Sequence, residues 1–231
     1  MIVKYINCQV KPNLRSTFSK GQCCWQRTAQ SAGFIAQTGG WQGNQATILA
    51  LWDAKSSVDS FMQLAHDAIA EDANQQGSYS RLEVGYWQHD LDIPGQQNTS
   101  SSQITGSTMR AAKLMAEAQF IRTAQCIVPA DKVDGFIEEQ RSLWNPAMAA
   151  VTGMLGGLLL RSSTNDKQFL VITFWLSEAS HQHYTKHVFS GIKALAKYKP
   201  LVEEIQGGQI IIDPQWQIAG STVGKQADAI G

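Results

Sequence analysis

Among the 231 residues, a few side chains have types and spacings suited to chemistry. His66 stands four residues after Met62 and three before Ile69, beside the apolar stripe of a helical segment. An imidazole there can serve as a base, because its pKa lies near neutrality and burial moves it. A boundary histidine bonded locally is the plainer reading. His183 and His187, four apart on one helix, share a face, which is metal-ligand spacing. No Glu between them completes a metalloprotease motif, and no acid or Cys cluster supplies a third ligand. No metal is therefore expected, and the pair, with Tyr184 one turn away, reads as surface or as a polar pocket wall. Asn7 sits mid-strand in an apolar run, and Gln125 holds the matching place later in the chain. A buried amide has to find hydrogen bonds, so each is either tied to backbone or open to a ligand. Trp41 differs from the other tryptophans in having only an aliphatic counterpart, Leu158. "GMLGGL" precedes a strand rather than a helix, so it lacks the helix N-terminus of a phosphate loop. No nucleophile elbow is visible.

The elements that must position these groups are written twice. "LALWDAKSSVDSFMQLAHD" (49–67) is echoed by "ITFWLSEASHQHYTKHVFS" (172–190), each carrying an aromatic nine positions past its Trp, Phe61 and Tyr184. Trp52 and Trp175 stand 123 positions apart, Trp25 and Trp144 119, Cys8 and Cys126 118, Phe18 and Phe136 118, Gly40 and Gly157 117, and Trp87 and Trp216 129. Ordered offsets that drift by a few residues are what loop insertions into a duplicated unit produce. The first copy reads as a strand at 2–10, a helix at 14–31, a hairpin turning at Gly43-Asn44, a helix at 56–74 capped by Ser56 or Ser57, and a strand in "YSRLEVGYW". That order is βαββαβ, the ferredoxin-like split unit. The second copy repeats it with strands at 119–128, 153–161, 169–175 and 208–217 and helices at 131–145 and 178–196. The implied organisation is a first unit at 1–90, a polar Gly/Ser-rich linker with a short helix at 91–118, a second unit at 119–220 and a flexible tail at 221–231.

Composition narrows the function classes. Lys+Arg and Asp+Glu are both 19, so the chain lacks the basic excess of a nucleic-acid binder, and no nucleic-acid partner is expected. The most apolar stretch, "AMAAVTGMLGGLLL", is too short and Gly-rich to span a bilayer, and "MIVKYINCQV" reads as a strand rather than an export signal. The expectation is a cytoplasmic protein with no membrane partner. Cys8, Cys23, Cys24 and Cys126 then read as buried, reduced thiols.

In "ATILALW" and "FLVITFW" every residue but one Thr is apolar. A sheet wetted on one face should alternate apolar and polar, so both faces of these central strands are buried. Helices cover one face. Three large side chains on the other represent roughly 5–9 kcal/mol of burial, comparable with the net stability of a domain. The economical cover is the other copy. The fold class expected is α+β: two tandem ferredoxin-like βαββαβ units packed sheet to sheet within one chain.

The Gly-Phe hairpin, the apolar strand ending in Trp, and "S-x-x-S-F" or "S-E-A-S-x-x-Y" after it resemble the dimeric α+β barrel superfamily, which includes antibiotic-biosynthesis-type and haem-degrading monooxygenases. "GGW", "LW" and "FM…AHD" are similar to a small bacterial family of unknown function. The resemblance implies a pseudo-dimer within one chain, with a further homodimer left open, and a pocket between sheet and helices. Cofactor-free relatives deprotonate a phenolic or anthrone-like molecule, whose electron-rich anion reacts directly with O₂. Such a site needs an apolar cavity, a base and a donor for the oxyanion. Haem-degrading relatives use a strand-1 Asn, a helix Trp and a ligating His. Asn7 matches that Asn position, Phe61 and Tyr184 stand where the Trp would be, and His66 comes too early to match the ligand. The resulting expectation is a monooxygenase without cofactor acting on a small aromatic or quinol-type molecule. In it Asn7 and His66 are catalytic in the first copy, and Trp41, Phe61, Gln125, Tyr184 and His187 contact substrate. The alternatives are a non-enzymatic binder of a small apolar ligand, haem included, and a structural scaffold.

Overall fold

Strand β1 (Ile2–Val10) is the apolar run that opens the chain, and it pairs antiparallel with β3 (Gln45–Trp52), from Ile2 opposite Trp52 to Gln9 opposite Gln45. In the computed structural model, residues 1–96, 106–196 and 201–221 are described. The tail expected at 221–231 lies outside them except for Ser221, as does linker segment 97–105.

The first unit continues through α1 (Arg15–Gln22), a 3₁₀ stretch at Cys23–Gln30, β2 (Phe34–Gln42), β3, α2 (Lys55–Leu64), α3 (His66–Ala73) and the start of β4 (Tyr79–Ile93). Its sheet order, β4-β1-β3-β2, is that of a ferredoxin-like unit. Gly43, with φ at +58°, and Asn44 make the tight β2–β3 turn. The helix expected at 14–31 is α-helical only to Gln22, and the one expected at 56–74 breaks at Ala65. The expected Ser56 or Ser57 cap is not made. Ala54 holds the N-cap position, and Ser57 Oγ instead donates to Asp53 Oδ1 at 2.6 Å.

Helix α4 (Ser107–Glu117) follows, then the second unit repeats the order: β5 (Phe120–Ile127), α5 (Val133–Glu139), a π-helical turn at Gln140–Trp144, α6 (Asn145–Ala149), β6 (Met154–Ser162), β7 (Gln168–Trp175), α7 (Glu178–Tyr184), a second π turn at Thr185–Phe189, α8 (Ser190–Leu195) and β8 (Glu204–Ile212). Its sheet order is β8-β5-β7-β6. Here the helix cap is made: Ser177 Oγ accepts from the Ser180 N–H at 3.1 Å. β8 ends before Pro214, which has no N–H to give a ladder. The strand expected to reach 217 gives way to a 3₁₀ turn (Pro214–Trp216) and a short β9 (Ile218–Ala219).

Of the described residues, packing assigns 1–86, 108–116 and 210–221 to the first unit and 87–96, 106–107, 117–196 and 201–209 to the second. In the first, Ile211 and Ile212 pair with Trp41 and Gly40 at the β2 edge. In the second, Trp87–Ile93 pair with β6 at the equivalent edge. Trp87 is therefore a strand residue and Trp216 a turn residue, and the two are not structural counterparts. Register also sets Trp41 level with Arg161 rather than Leu158: Trp41 faces Ala46, and Arg161 faces Phe169 at the same step of the hairpin. β3 and β7 are buried on both faces, as their apolar runs required. Cys8 and Cys126 are buried, Cys23 and Cys24 only partly, and all four are free thiols. Among the described residues no helix is long and apolar enough to cross a membrane.

Candidate functional site

Each unit holds a cavity between its sheet and its helices. In the second unit it measures about 430 Å³, within the range of small-molecule sites. Alternate residues of β5 (Arg122, Ala124, Cys126) and β7 (Val171, Thr173) form its floor. His181, Tyr184 and Thr185 enter from α7 and the turn after it, and Gln140 and Trp144 from the first π turn. Both π turns contribute lining residues, a recurrent placement for such turns.

His181 is 4% exposed, its ring held between Phe120 at 4.9 Å, Trp175 at 5.3 Å and Tyr184 at 6.1 Å. Among the described residues neither ring nitrogen has a hydrogen-bond partner. Burial, with the Arg122 charge adding to it, lowers its pKa to about 4, so the imidazole is neutral near pH 7. Burial raises the Tyr184 phenol to about 12, Arg122 opposing the shift, so that group stays a proton donor. Arg122 Nη1 donates to the Gly208 carbonyl at 3.2 Å. The guanidinium fits because residue 207 is glycine: a Cβ there would stand 2.4 Å from Arg122 Nη2. The cavity thus brings together a fixed cation, a neutral base and a phenolic donor, with aromatic walls. It can take an ionisable aromatic molecule and hold its oxyanion.

A pH prediction arises from His181. Its folded pKa lies below the ordinary 6.5, so on acidification the unfolded chain takes up the proton first. The stabilising effect of a neutral His181 is fully present above pH 6.5 and is lost as pH falls toward 4, on the order of 3 kcal/mol. Urea melts at stepped pH should show this loss, and His181→Phe should flatten that part of the profile.

The first unit's cavity, about 520 Å³, is built on the same register. Lys4 pairs with Ala50 as Arg122 pairs with Thr173. At the constant offset of 123 the polar groups change: Ala50 stands for Thr173, Val58 for His181, Phe61 for Tyr184, and His66 for Phe189. One consequence is energetic. Trp175 Nε1 donates to Thr173 Oγ1 at 2.9 Å, whereas among the described residues the buried Trp52 Nε1 has no partner. Ala50→Thr should supply the missing acceptor and raise stability by about 1 kcal/mol, read from chemical denaturation. An unchanged midpoint would show that the hydroxyl does not reach Trp52.

The residues singled out from sequence fall on several surfaces. His66 and Phe61 line the first cavity together, 5.9 Å between rings, and His66 Nδ1 lies 2.9 Å from Asp67 Oδ1. Asn7 is on the opposite face of β1 from Lys4, Ile6 and Cys8, and its Oδ1 accepts from Thr47 Oγ1 at 2.8 Å. Gln125 is likewise turned from the second cavity and lines a smaller recess with Trp87 and Glu204. Trp41 belongs to a core cluster with Phe18 and Trp216, with Arg15 stacked over it. Tyr184 lines the second cavity, while His187 is exposed and stacks on His183 at 4.7 Å. Among the described residues no cluster suited to a metal occurs. A haem-degrading set would need a strand-1 amide turned into the cavity and a helix Trp. Asn7 is turned away and Phe61 and Tyr184 hold the Trp position, so these side chains do not fit it.

Sequence and structure comparisons follow the same division. Residues 2–87 match a domain of unknown function (DUF4937), and residues 120–190 match the antibiotic biosynthesis monooxygenase family. The uncharacterized protein YdbC of Bacillus subtilis (strain 168) is 30% identical over 95 residues, which is 39% of this chain and 80% of YdbC. A candidate monooxygenase from Lactobacillus acidophilus NCFM superposes with a TM-score of 0.65 at 12% identity, over 94% of this chain and 95% of that one. An anthrone oxidase-like protein does so with 0.65 at 10% identity, over 92% and 90%. At such identities these two likenesses concern the fold.

Proposed function

Because the chain belongs to the antibiotic-biosynthesis-monooxygenase-like dimeric α+β barrel superfamily, we propose that its second unit oxygenates a small aromatic molecule of the phenol, quinol or anthrone kind without a bound cofactor. The observation that carries this reading is the convergence of Arg122, His181 and Tyr184 on one cavity in the unit that matches the monooxygenase family. Arg122 pairs with the substrate oxyanion, lowering the cost of ionising a phenol or enol inside an apolar cavity. His181, neutral and without a hydrogen-bond partner among the described residues, accepts the hydroxyl proton as the anion forms.

The anion is then electron-rich enough to give one electron to O₂. The substrate radical and superoxide combine through a new C–O bond, and the peroxide takes up a proton. For an anthrone-type CH₂, loss of the remaining C–H proton with O–O cleavage yields a carbonyl, and the other oxygen atom leaves as water. Tyr184, which lines the cavity and is kept protonated by burial, donates to the peroxide oxygen in this reading.

The test is oxygen uptake with an anthrone and quinol panel under isotopically heavy O₂. One heavy oxygen should enter the product and one the water. Binding without uptake across the panel would reduce the site to a ligand holder and end the enzymatic reading.

A further inference from the structure

The first unit's cavity contains a charge the fold does not account for. Lys4 is 6% exposed, it lines the cavity, and among the described residues its Nζ has one hydrogen-bond partner, the thioether of Met62 at 3.3 Å. A thioether is a weak acceptor, and among the described residues no carboxylate pairs with this ammonium. Asp67 and Glu71 line the same cavity but from its exposed helical rim, and Asp67 is engaged by His66. A buried charge without a partner is costly. Its desolvation is evident in the Lys4 pKa, lowered by burial to about 8, which still leaves the amine largely protonated at pH 7.

A second unsatisfied group belongs to the same wall: among the described residues the buried Thr28 hydroxyl has no hydrogen-bond partner. The rest of the lining has an apolar part, with Trp25, Trp52, Phe61 and Ile48 inside and the half-exposed Leu82 and Val84 beside the opening, and a polar part made by Gln22, Gln37, Gln75 and Tyr79. A structural role for Lys4 is poorly served by this geometry, since a methionine or leucine would fill the same space without desolvating a charge. The second unit keeps a cation at the same register position, Arg122, and there it reaches a backbone carbonyl.

We propose that the first unit's cavity is a ligand site in its own right, taking a small aromatic carboxylate whose anion rests on Lys4 Nζ while its ring packs against the Trp25, Trp52 and Phe61 side of the cavity. The site is independent of the oxygenation assigned to the second unit and stands whether or not that chemistry occurs.

The experiment uses the full chain carrying Arg122→Met, so that the other cavity's cation is removed, with 1-naphthoate and the neutral 1-naphthalenemethanol as probes in calorimetric titrations. The carboxylate should bind at one site at least tenfold more tightly than the alcohol. Adding Lys4→Met should abolish that preference, and Lys4→Arg should retain it. Equal affinity for the two probes, or a preference that survives Lys4→Met, overturns the assignment. Thermal melts without probe supply the control for folding. Lys4→Met should melt higher than its parent because an uncompensated charge has been removed. A lower melting temperature would mean that Lys4 serves the fold, and that result also overturns the proposal.

Discussion

A Trp216→Ala chain should be destabilised by about 3–5 kcal/mol, although residue 216 lies in a turn after the last long strand of the second copy. The side chain is fully buried, with its ring 5.0 Å from Trp41 and 5.8 Å from Phe18. Its Nε1 donates to Ser19 Oγ at 3.1 Å, and its carbonyl accepts from Gln37 Nε2 at 3.2 Å. Truncation would remove the indole's contacts and leave a void the surroundings cannot close. One wall of that void is bare backbone at Gly39, where even a Cβ would come within 3.1 Å of the Trp216 ring. Trp216→Phe should cost less, because it keeps most of the volume and loses the hydrogen bond to Ser19. Urea denaturation reads both. A loss under 1 kcal/mol for Trp216→Ala would show that the C-terminal turn is not part of the first unit's core.

The repeat made the elements legible, and the reason the site was less so lies in the same strands. Period-two alternation tells which residues face the helices only when one face of a sheet is polar. In β1 each face carries buried residues, Lys4 and Cys8 on one and Val3 and Tyr5 on the other, and each carries a polar side chain, so nothing in "IVKYINCQV" distinguishes the Asn7 face from the Lys4 face. The ladder decides it, and it puts Lys4, not Asn7, over the cavity. His181 was within reach of sequence reasoning. The stripe Val58, Phe61 carried forward by 123 residues lands on His181 and Tyr184, a polar pair at positions the first copy fills with apolar groups. The more conspicuous His183 and His187 share a different, exposed face of that helix. Trp41 shows a third limit. Its partner Trp216 is far away in the chain and joins it through pairing of Ile211 and Ile212 with β2, which local pattern cannot announce. The π turns are similar: the sequence pattern specifies a helix across both, and the extra residue per turn follows from packing.

Arg122→Met should lower the rate of oxygen uptake by about 10²–10³-fold, the loss typical when one preorganised stabiliser of a developing oxyanion is removed. Met has nearly the length and volume of the aliphatic stem, so packing against Ala124 and Thr173 changes little and the melting temperature should stay near the parent's. Two further results separate catalysis from structure. Gly207→Ala keeps the charge but places a Cβ 2.4 Å from the present position of Nη2, so the guanidinium must move. It should lose part of the rate with the cation still present. The pH profile supplies the second. Arg122 is one of the two causes that depress His181, so its removal lets the imidazole pKa rise from about 4 toward its ordinary value. Activity requires the neutral ring, and the acid limb of kcat/KM should therefore move to higher pH in Arg122→Met. In His181→Phe that limb should vanish altogether. A purely structural Arg122 would lower activity without displacing the limb, and an acid limb unchanged in position would dissolve the link between cation and base on which the oxygenation rests.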